Sequence, residues 1–310
     1  MRALLRWHPA LMTTAGLMVV LSLLHAAGLA LDDRSYGSSP NWMKPLKFSF
    51  SFILYTAWLA ALIHLLERAS GAAERKARKF GNFIVFVVWV EMIFIDVQTL
   101  RGTTSHFNFR TIPEAVIYEV AGFLAMGMVA VNVLLVYLVI RRKAASEPVL
   151  LALKTGTWLL VASGLVGVFM AFPKVPGGWS NDVVGGHSIG ADIDHAVVPY
   201  IFWAAEGGDL RVPHFIGLHA FQLLPLAAMI FHRWVNTRVV WVLSAGYTGV
   251  FLISFFQAMA GEAPFDVSTP TVVALAVTAL ATALGLVWAL RTPPVPPASE
   301  RAAEPVSAHR

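Results

Sequence analysis

The chain has 310 residues, of which 57% are hydrophobic and only 13% charged, with a formal net charge of +5 and a pI near 9.6. Soluble domains carry about 25% charged residues, so the composition excludes an ordinary soluble protein; the basic excess sits in short stretches between apolar runs, where it sets membrane orientation rather than recruiting nucleic acid. The absence of cysteine excludes disulfides, thiolate-held iron–sulfur clusters, covalently attached haem and thiol catalysis, and no glycine-rich phosphate loop or dinucleotide fingerprint is present.

Apolar runs of about 20 residues, each long enough to cross ~30 Å of hydrocarbon, predict helices over 10–31, 46–66, 83–99, 114–140, 149–172, 213–232, 239–259 and 271–290. The expected fold is all-α: a polytopic membrane bundle forming one domain over 1–290, with an outer loop at 173–212 and a Pro- and Ala-rich disordered tail at 291–310. The first run, with a basic start and small residues near Ala30, reads either as a retained span or as a cleaved leader. It carries His25. Before the second run, NWMKPLKF sets Trp42, Lys44 and Lys47 as an interfacial anchor; alternatively Lys47 pairs with Glu91 or Asp96. The second run ends on His64.

The third run contains Glu91, Asp96 and Gln98. Glu91 and Gln98, seven apart, share a helix face. Ionisable groups inside a bilayer are costly unless paired or hydrated, which makes them functional candidates. At ~1.5 Å per residue, Glu91 lies ~12 Å below the outer helix end, and His25, Glu119 on the fourth run and His219 on the sixth lie ~8–9 Å below it. The expectation is a polar layer in the outer leaflet. The loop RGTTSHFNFR (Arg101, Ser105, His106, Asn108) adds to it. So does the long loop before the sixth run, with His187, Asp192, Asp194, His195, Glu206, Asp209, Arg211 and His214. Within that loop AVVPYIFWAA is apolar enough to lie on the membrane surface or fold back over a pocket. Lys154, in the fifth run, snorkels to the inner surface.

Of the 23 Lys and Arg residues, 15 fall in the segments that are inner if the N-terminus is inside and 7 in the outer ones, Lys154 being within a helix. Both termini are therefore expected in the cytoplasm. The halves 1–140 and 145–290 resemble one another. Pro45 precedes His64 as Pro213 precedes His232; QTLRG follows the spacing of QAMAG; and Thr111–Pro113 matches Ser268–Pro270. Four helices per half would make this a parallel repeat about the membrane normal.

Several readings stay open. His25, His187, His214 and His219 have the chemistry of metal ligands, with Glu91, Asp96, Glu119, Asp209 and Arg211 as catalytic or proton-handling groups; the same groups can instead form a hydrogen-bonded layer that fixes helix packing. His64 and His232 could hold a b-type haem across the bundle, or simply favour helix C-termini. Three functions are compatible: a metal- or haem-dependent membrane enzyme, a proton-coupled carrier of a small solute, and a non-catalytic sensor or assembly factor. The segments RGTTSHFN, EGGDLRVPHFIGLHAFQ and NWMKPLKF resemble those of a family of bacterial multipass inner-membrane proteins without known activity. The resemblance implies an inner-membrane location and no particular chemistry.

Overall fold

The structure, a computed structural model, describes residues 7–36, 38–67, 72–172, 185–190 and 196–291. Asp192, Asp194, His195 and the tail from 292 lie outside the described residues. Eight helices are long and apolar enough to cross a membrane: α1 (Pro9–Leu31), α2 (Met43–Glu67), α3 (Ala72–Leu100), α4 (Ile112–Arg141), α5 (Glu147–Met170), α6 (Arg211–Ile230), α7 (Thr237–Met259) and α8 (Thr269–Arg291). The chain is a multipass membrane protein. Two minimal antiparallel ladders, β1 (Ser35–Tyr36) with β2 (Ser39–Pro40) and β3 (Ser188–Ile189) with β4 (Gly208–Asp209), lead into α2 and α6.

Local chemistry explains the boundaries. His8 caps α1, its Nδ1 accepting from Leu11 N–H at 3.3 Å, and Pro9 follows in the first turn, where a missing N–H costs nothing. Helix α3 starts eleven residues earlier than its apolar run, because AAERKARK is rich in helix formers and Glu74 pairs with Arg78 at 3.3 Å. Helices α2 and α6 each start two residues before a proline, Pro45 and Pro213. Helix α6 ends at Ile230, so His232 falls in the exposed turn beyond it rather than in the helix.

Helices α1, α3, α5 and α7 end, and α2, α4, α6 and α8 begin, at one end of the bundle, called here the loop end. The halves share most of their packing, α1 on α2 and α3, α2 on α3 and α3 on α4 against α5 on α6 and α7, α6 on α7 and α7 on α8, but α2 also packs on α4 in the first half. The halves meet through α4 on α5 and through a Trp58–Phe221 ring contact between α2 and α6. Helices α5 and α6 approach closely because Gly156 and Gly217 face the partner backbone; a Cβ on Gly156 would lie 2.7 Å from the Ala220 carbonyl oxygen. Leu59, Leu62, Ile63 and Leu66 of α2 are wholly buried with Ile84, Leu135 and Leu153. Large apolar side chains such as Leu23, Phe123, Trp158 and Leu284 face outward, a surface that a bilayer covers.

The exits of α3 and α7 are built identically. Gly102 and Gly261 adopt φ of +69° and +76°, conformations that favour glycine. Thr103 N–H donates to the Gln98 carbonyl and Glu262 N–H to the Gln257 carbonyl, at 3.0 and 3.1 Å. Both are Schellman-type closures.

Candidate functional site: the polar layer at the loop end

Three clusters occupy the loop end. The first joins α1, α2 and α3. His25 Nδ1 lies 3.1 Å from Ser49 Oγ, which accepts from Ser22 Oγ at 2.9 Å and donates to the Leu46 carbonyl at 3.1 Å. On its other side, His25 Nε2 is 3.1 Å from Asp96 Oδ1, off the line of a hydrogen bond, so that this buried carboxylate oxygen has an ionic neighbour but no aligned donor. Trp42 roofs the cluster: its ring is 6.1 Å from His25 and lies against Gly28, and its Nε1 donates to Asp32 Oδ2 at 2.7 Å. The Arg34 side chain and the Trp42 indole hold the Asp32 carboxyl well below the usual range. A Ser–His–Asp set invites comparison with hydrolases. Ser49, however, is fully buried and its hydroxyl is committed to its own helix, which leaves no approach for a substrate.

The second cluster centres on Glu91. It is 4% exposed, and Oε2 has no hydrogen-bond partner. The charged group that acts on it is Lys44, in the first turn of α2. Lys44 also acts on His106, and Arg211 acts on Lys44. The Lys44 ammonium sits 5.8 Å from the Phe48 ring centroid. His106 is enclosed by Phe48, Phe94, Phe107 and Tyr118, at centroid distances of 5.9 to 6.4 Å. Burial, together with the Lys44 charge, holds its imidazole well below the usual histidine range, so it is neutral. Lys44 and His106 stand at the centre of this cluster although the sequence marked the first as an anchor and the second only as a loop residue. For Lys44, its i to i+3 and i+4 relations to Lys47 and Phe48 were the only local hint, and for His106 there was none.

The third cluster opens α6. Asp209, buried, accepts from Arg211 Nε at 2.9 Å and Nη2 at 2.6 Å, and from Ala204 N–H at 2.9 Å; His187 Nδ1 is 3.5 Å away. Burial pushes the Asp209 carboxyl up, but the Arg211 fork, His187 and the amide outweigh it and leave it below the usual value. The apolar segment of the long loop folds back as a hairpin. Val197 bridges Ala204, Val198 N–H donates to the Trp203 carbonyl at 2.8 Å, and Trp203 packs between Phe215 and Phe265. Lys47 does not pair with Glu91 or Asp96: its ammonium donates to the Ile201 carbonyl and lies 5.9 Å from the Phe202 ring centroid.

The remaining residues expected in the layer go elsewhere. Glu119 lies on the exposed face of α4. His214 clasps α5 to α6, its Nδ1 2.8 Å from the Ser163 carbonyl while Ser163 Oγ donates to the His214 carbonyl at 2.6 Å. His219 meets Gln222 at 2.7 Å, as their shared face implied, and packs on Phe215. His64 stacks on Trp7 at 5.4 Å. The four histidines considered as metal ligands thus each have a partner of their own, and among the described residues no three of His, Asp and Glu come together as a metal site would require. Arg101, from the loop the sequence marked, joins Gln98 at 2.8 Å and Glu114, which the sequence did not single out, at 2.9 Å, and Thr111 caps α4 beside the Glu114 side chain.

Compared with known proteins, the chain matches no family model, no curated protein and no solved structure.

Proposed function

We propose that the chain is a proton-coupled carrier of a small solute, with its binding layer at the loop end and Glu91 as the group that loads the proton. The observation that carries this reading is a carboxylate 4% exposed, inside a membrane-spanning helix, with one oxygen lacking any hydrogen-bond partner. Leaving such an oxygen unpaired costs about 1–3 kcal/mol or more. The cost is removed when the group gains a proton or a ligand, so its occupancy is tied to both.

The largely shared packing of the two halves supports rocking of one half on the other. The Lys and Arg distribution supports a loop end outside the cytoplasm with both termini inside. A metal- or haem-dependent enzyme draws less support, because the candidate ligands are spread over separate partners.

The test is proton flux in proteoliposomes loaded with a pH-sensitive dye, challenged with panels of organic acids, amines and sugars. One class should drive acidification in the wild-type chain and fail to do so in Glu91→Gln. No solute-dependent flux under any ion gradient would sink the carrier reading.

A further inference from the structure

We infer that the hairpin 196–205 is a strap across the loop end, rooted in the second half and fastened shut on the first half by Lys47. It rests on the carrier reading for its purpose and supplies that reading with the device that closes the loop end.

The root of the hairpin moves with α6. Its two arms are paired, Ala205 N–H donating to the Ala196 carbonyl and Val198 N–H to the Trp203 carbonyl, both at 2.8 Å. Ala204 is wholly buried and gives its N–H to Asp209 Oδ2 at 2.9 Å, and Asp209 is gripped in turn by Arg211, the first residue of α6. Trp203 is wedged between Phe215 of α6 and Phe265 of the turn before α8.

The tip is fastened to the other half. Lys47, on the exposed side of α2, donates to the Ile201 carbonyl and lies 5.9 Å from the Phe202 ring centroid. On either side of Ile201 the backbone is left-handed, with φ of +68° at Tyr200 and +54° at Phe202. Turns of this shape are ordinarily made by Gly or Asn. Bulky residues adopt that region rarely, and they persist there only where their surroundings hold them. Packing does not hold Tyr200, which is 89% exposed. The holds on this tip are its own bond from Phe202 N–H to the Val198 carbonyl, at 2.9 Å, and the grip of Lys47 on the next peptide.

Such a fastening suits a switch. One surface hydrogen bond contributes little to stability, so the closed and open states lie close together and a small bias moves the population between them. The halves also meet through α4 on α5 and through Trp58 and Phe221. Trp58 is 11 residues beyond Lys47 on α2, ~16 Å deeper at ~1.5 Å per residue. Rocking about the Trp58 contact is therefore amplified at the loop end and draws Lys47 off the tip, as lids open in other closing devices.

Double electron–electron resonance on the full chain in proteoliposomes tests this, since a chain without cysteine can be labelled at chosen pairs. Tyr200→Cys with Leu31→Cys spans the strap and the first half at positions 89% and 85% exposed; Leu31→Cys with Ile112→Cys reports the first half alone. With Lys47 in place the spanning pair should give one narrow distance. Lys47→Met should add a second, longer population, and Lys47→Arg, which can still donate and stack, should keep the narrow one. The first-half pair should stay narrow throughout, which separates an opened strap from a lost fold. An unchanged distance in Lys47→Met, or equally broad distances in all three chains, would overturn the inference. If Lys47→Met opens the strap but the wild-type chain shows no solute-dependent proton flux, the carrier reading falls and the strap stands. If flux occurs and Lys47→Met leaves the distance unchanged, only the strap falls.

Discussion

Aligning Pro45 with Pro213 sets Lys44 against Val212 and Lys47 against Phe215; aligning Gln98 with Gln257 sets Glu91 against Val250 and Asp96 against Phe255. The helix starts and the glycine exits correspond between the halves, yet opposite these four charges the second half carries apolar residues. Even the histidine–serine contacts are exchanged: α1 offers His25 to Ser49 of α2, whereas α5 offers Ser163 to His214 of α6. At these positions the second half stands on apolar packing and backbone-satisfying caps, its own charged cluster of Asp209, Arg211 and His187 lying at the entrance to α6. The first half shows what has been added to the shared frame, and additions that the frame does not require are where function is to be sought.

The largest effect expected from breaking this difference comes from converting half one to the pattern of half two. Removing one member of a buried ion pair costs about 3–5 kcal/mol, because the other charge is left uncompensated, whereas replacing both with apolar residues is often neutral. Lys44 is half-buried and makes no direct ion-pair contact with Glu91, so Lys44→Val alone is expected to be destabilising by less than that range. The double variant Lys44→Val with Glu91→Val should recover most of the loss. Denaturant unfolding in detergent would read the coupling as a double-mutant cycle, and solute-driven proton flux should be absent from all three variants. Additive destabilisation would mean that the two side chains do not interact, and the contrast between the halves would lose its functional meaning.

How much of this was legible beforehand depends on the kind of contact. Hydropathy and helix length gave all eight spans, since crossing hydrocarbon constrains composition directly. The matched prolines and QxxxG segments anticipated the equivalent helix starts and exits, because both are backbone requirements written in residue type. The pairing of His25 with Asp96 was not foreseen: depth was reckoned for His25 and Glu91 but not for Asp96. Depth also says nothing of the direction in which a side chain leaves the helix. Glu119 was placed in the layer but lies on the outside, and His214 and His219 point to different partners. Lys44 and His106 were undervalued because their neighbours come from α3 and from the loop after it, at sequence distances that no local pattern reports. The amphipathic basic stretch at the start of α3 was missed as helix for a simpler reason: an apolar-run criterion does not see helix that lies beyond the hydrocarbon.

A smaller effect concerns His106, which also has no counterpart in the second half. Its folded-state pKa lies below the ordinary value of 6.5. The unfolded chain therefore binds the proton more readily, and the stability due to a neutral His106 is complete above pH 6.5 and is lost as pH falls from 6.5 toward the folded value. Over that window the wild-type chain should lose up to about 1.4 kcal/mol per pH unit from this one group. His106→Phe keeps the ring packing and should flatten this part of the stability–pH curve, measured by unfolding from pH 7.5 to 5. An unchanged slope would place the imidazole in contact with solvent rather than inside its aromatic enclosure. Asp209 is expected to act at lower pH: its folded pKa is depressed, so its contribution is complete above about pH 4 and disappears only in stronger acid, which keeps the two transitions apart.

The smallest effect compares the caps of α4 and α8, where the two halves differ in detail. Thr111 Oγ1 accepts from Glu114 N–H at 3.4 Å and faces the Glu114 side chain, which also receives Arg101. Ser268, its counterpart before α8, instead donates to Thr271 at 3.3 Å, and the half-buried Glu262 closes that turn by accepting from Ser268 N–H and Thr271 Oγ1. Losing an N-cap side chain costs about 1 kcal/mol, and the Arg101 contact adds little because Arg101 is largely exposed to solvent. Thr111→Ala should therefore lower stability by about 1 kcal/mol. Ser268→Ala should cost only a few tenths, since Glu262 and Thr271 retain their bond. Hydrogen exchange at the first turns of α4 and α8 distinguishes the two, with faster exchange expected at Ala115 in Thr111→Ala and little change at Val272 in Ser268→Ala. Equal effects would mean that both starts are held by the membrane boundary alone, and the charge-bearing cap of half one would then be incidental to the frame.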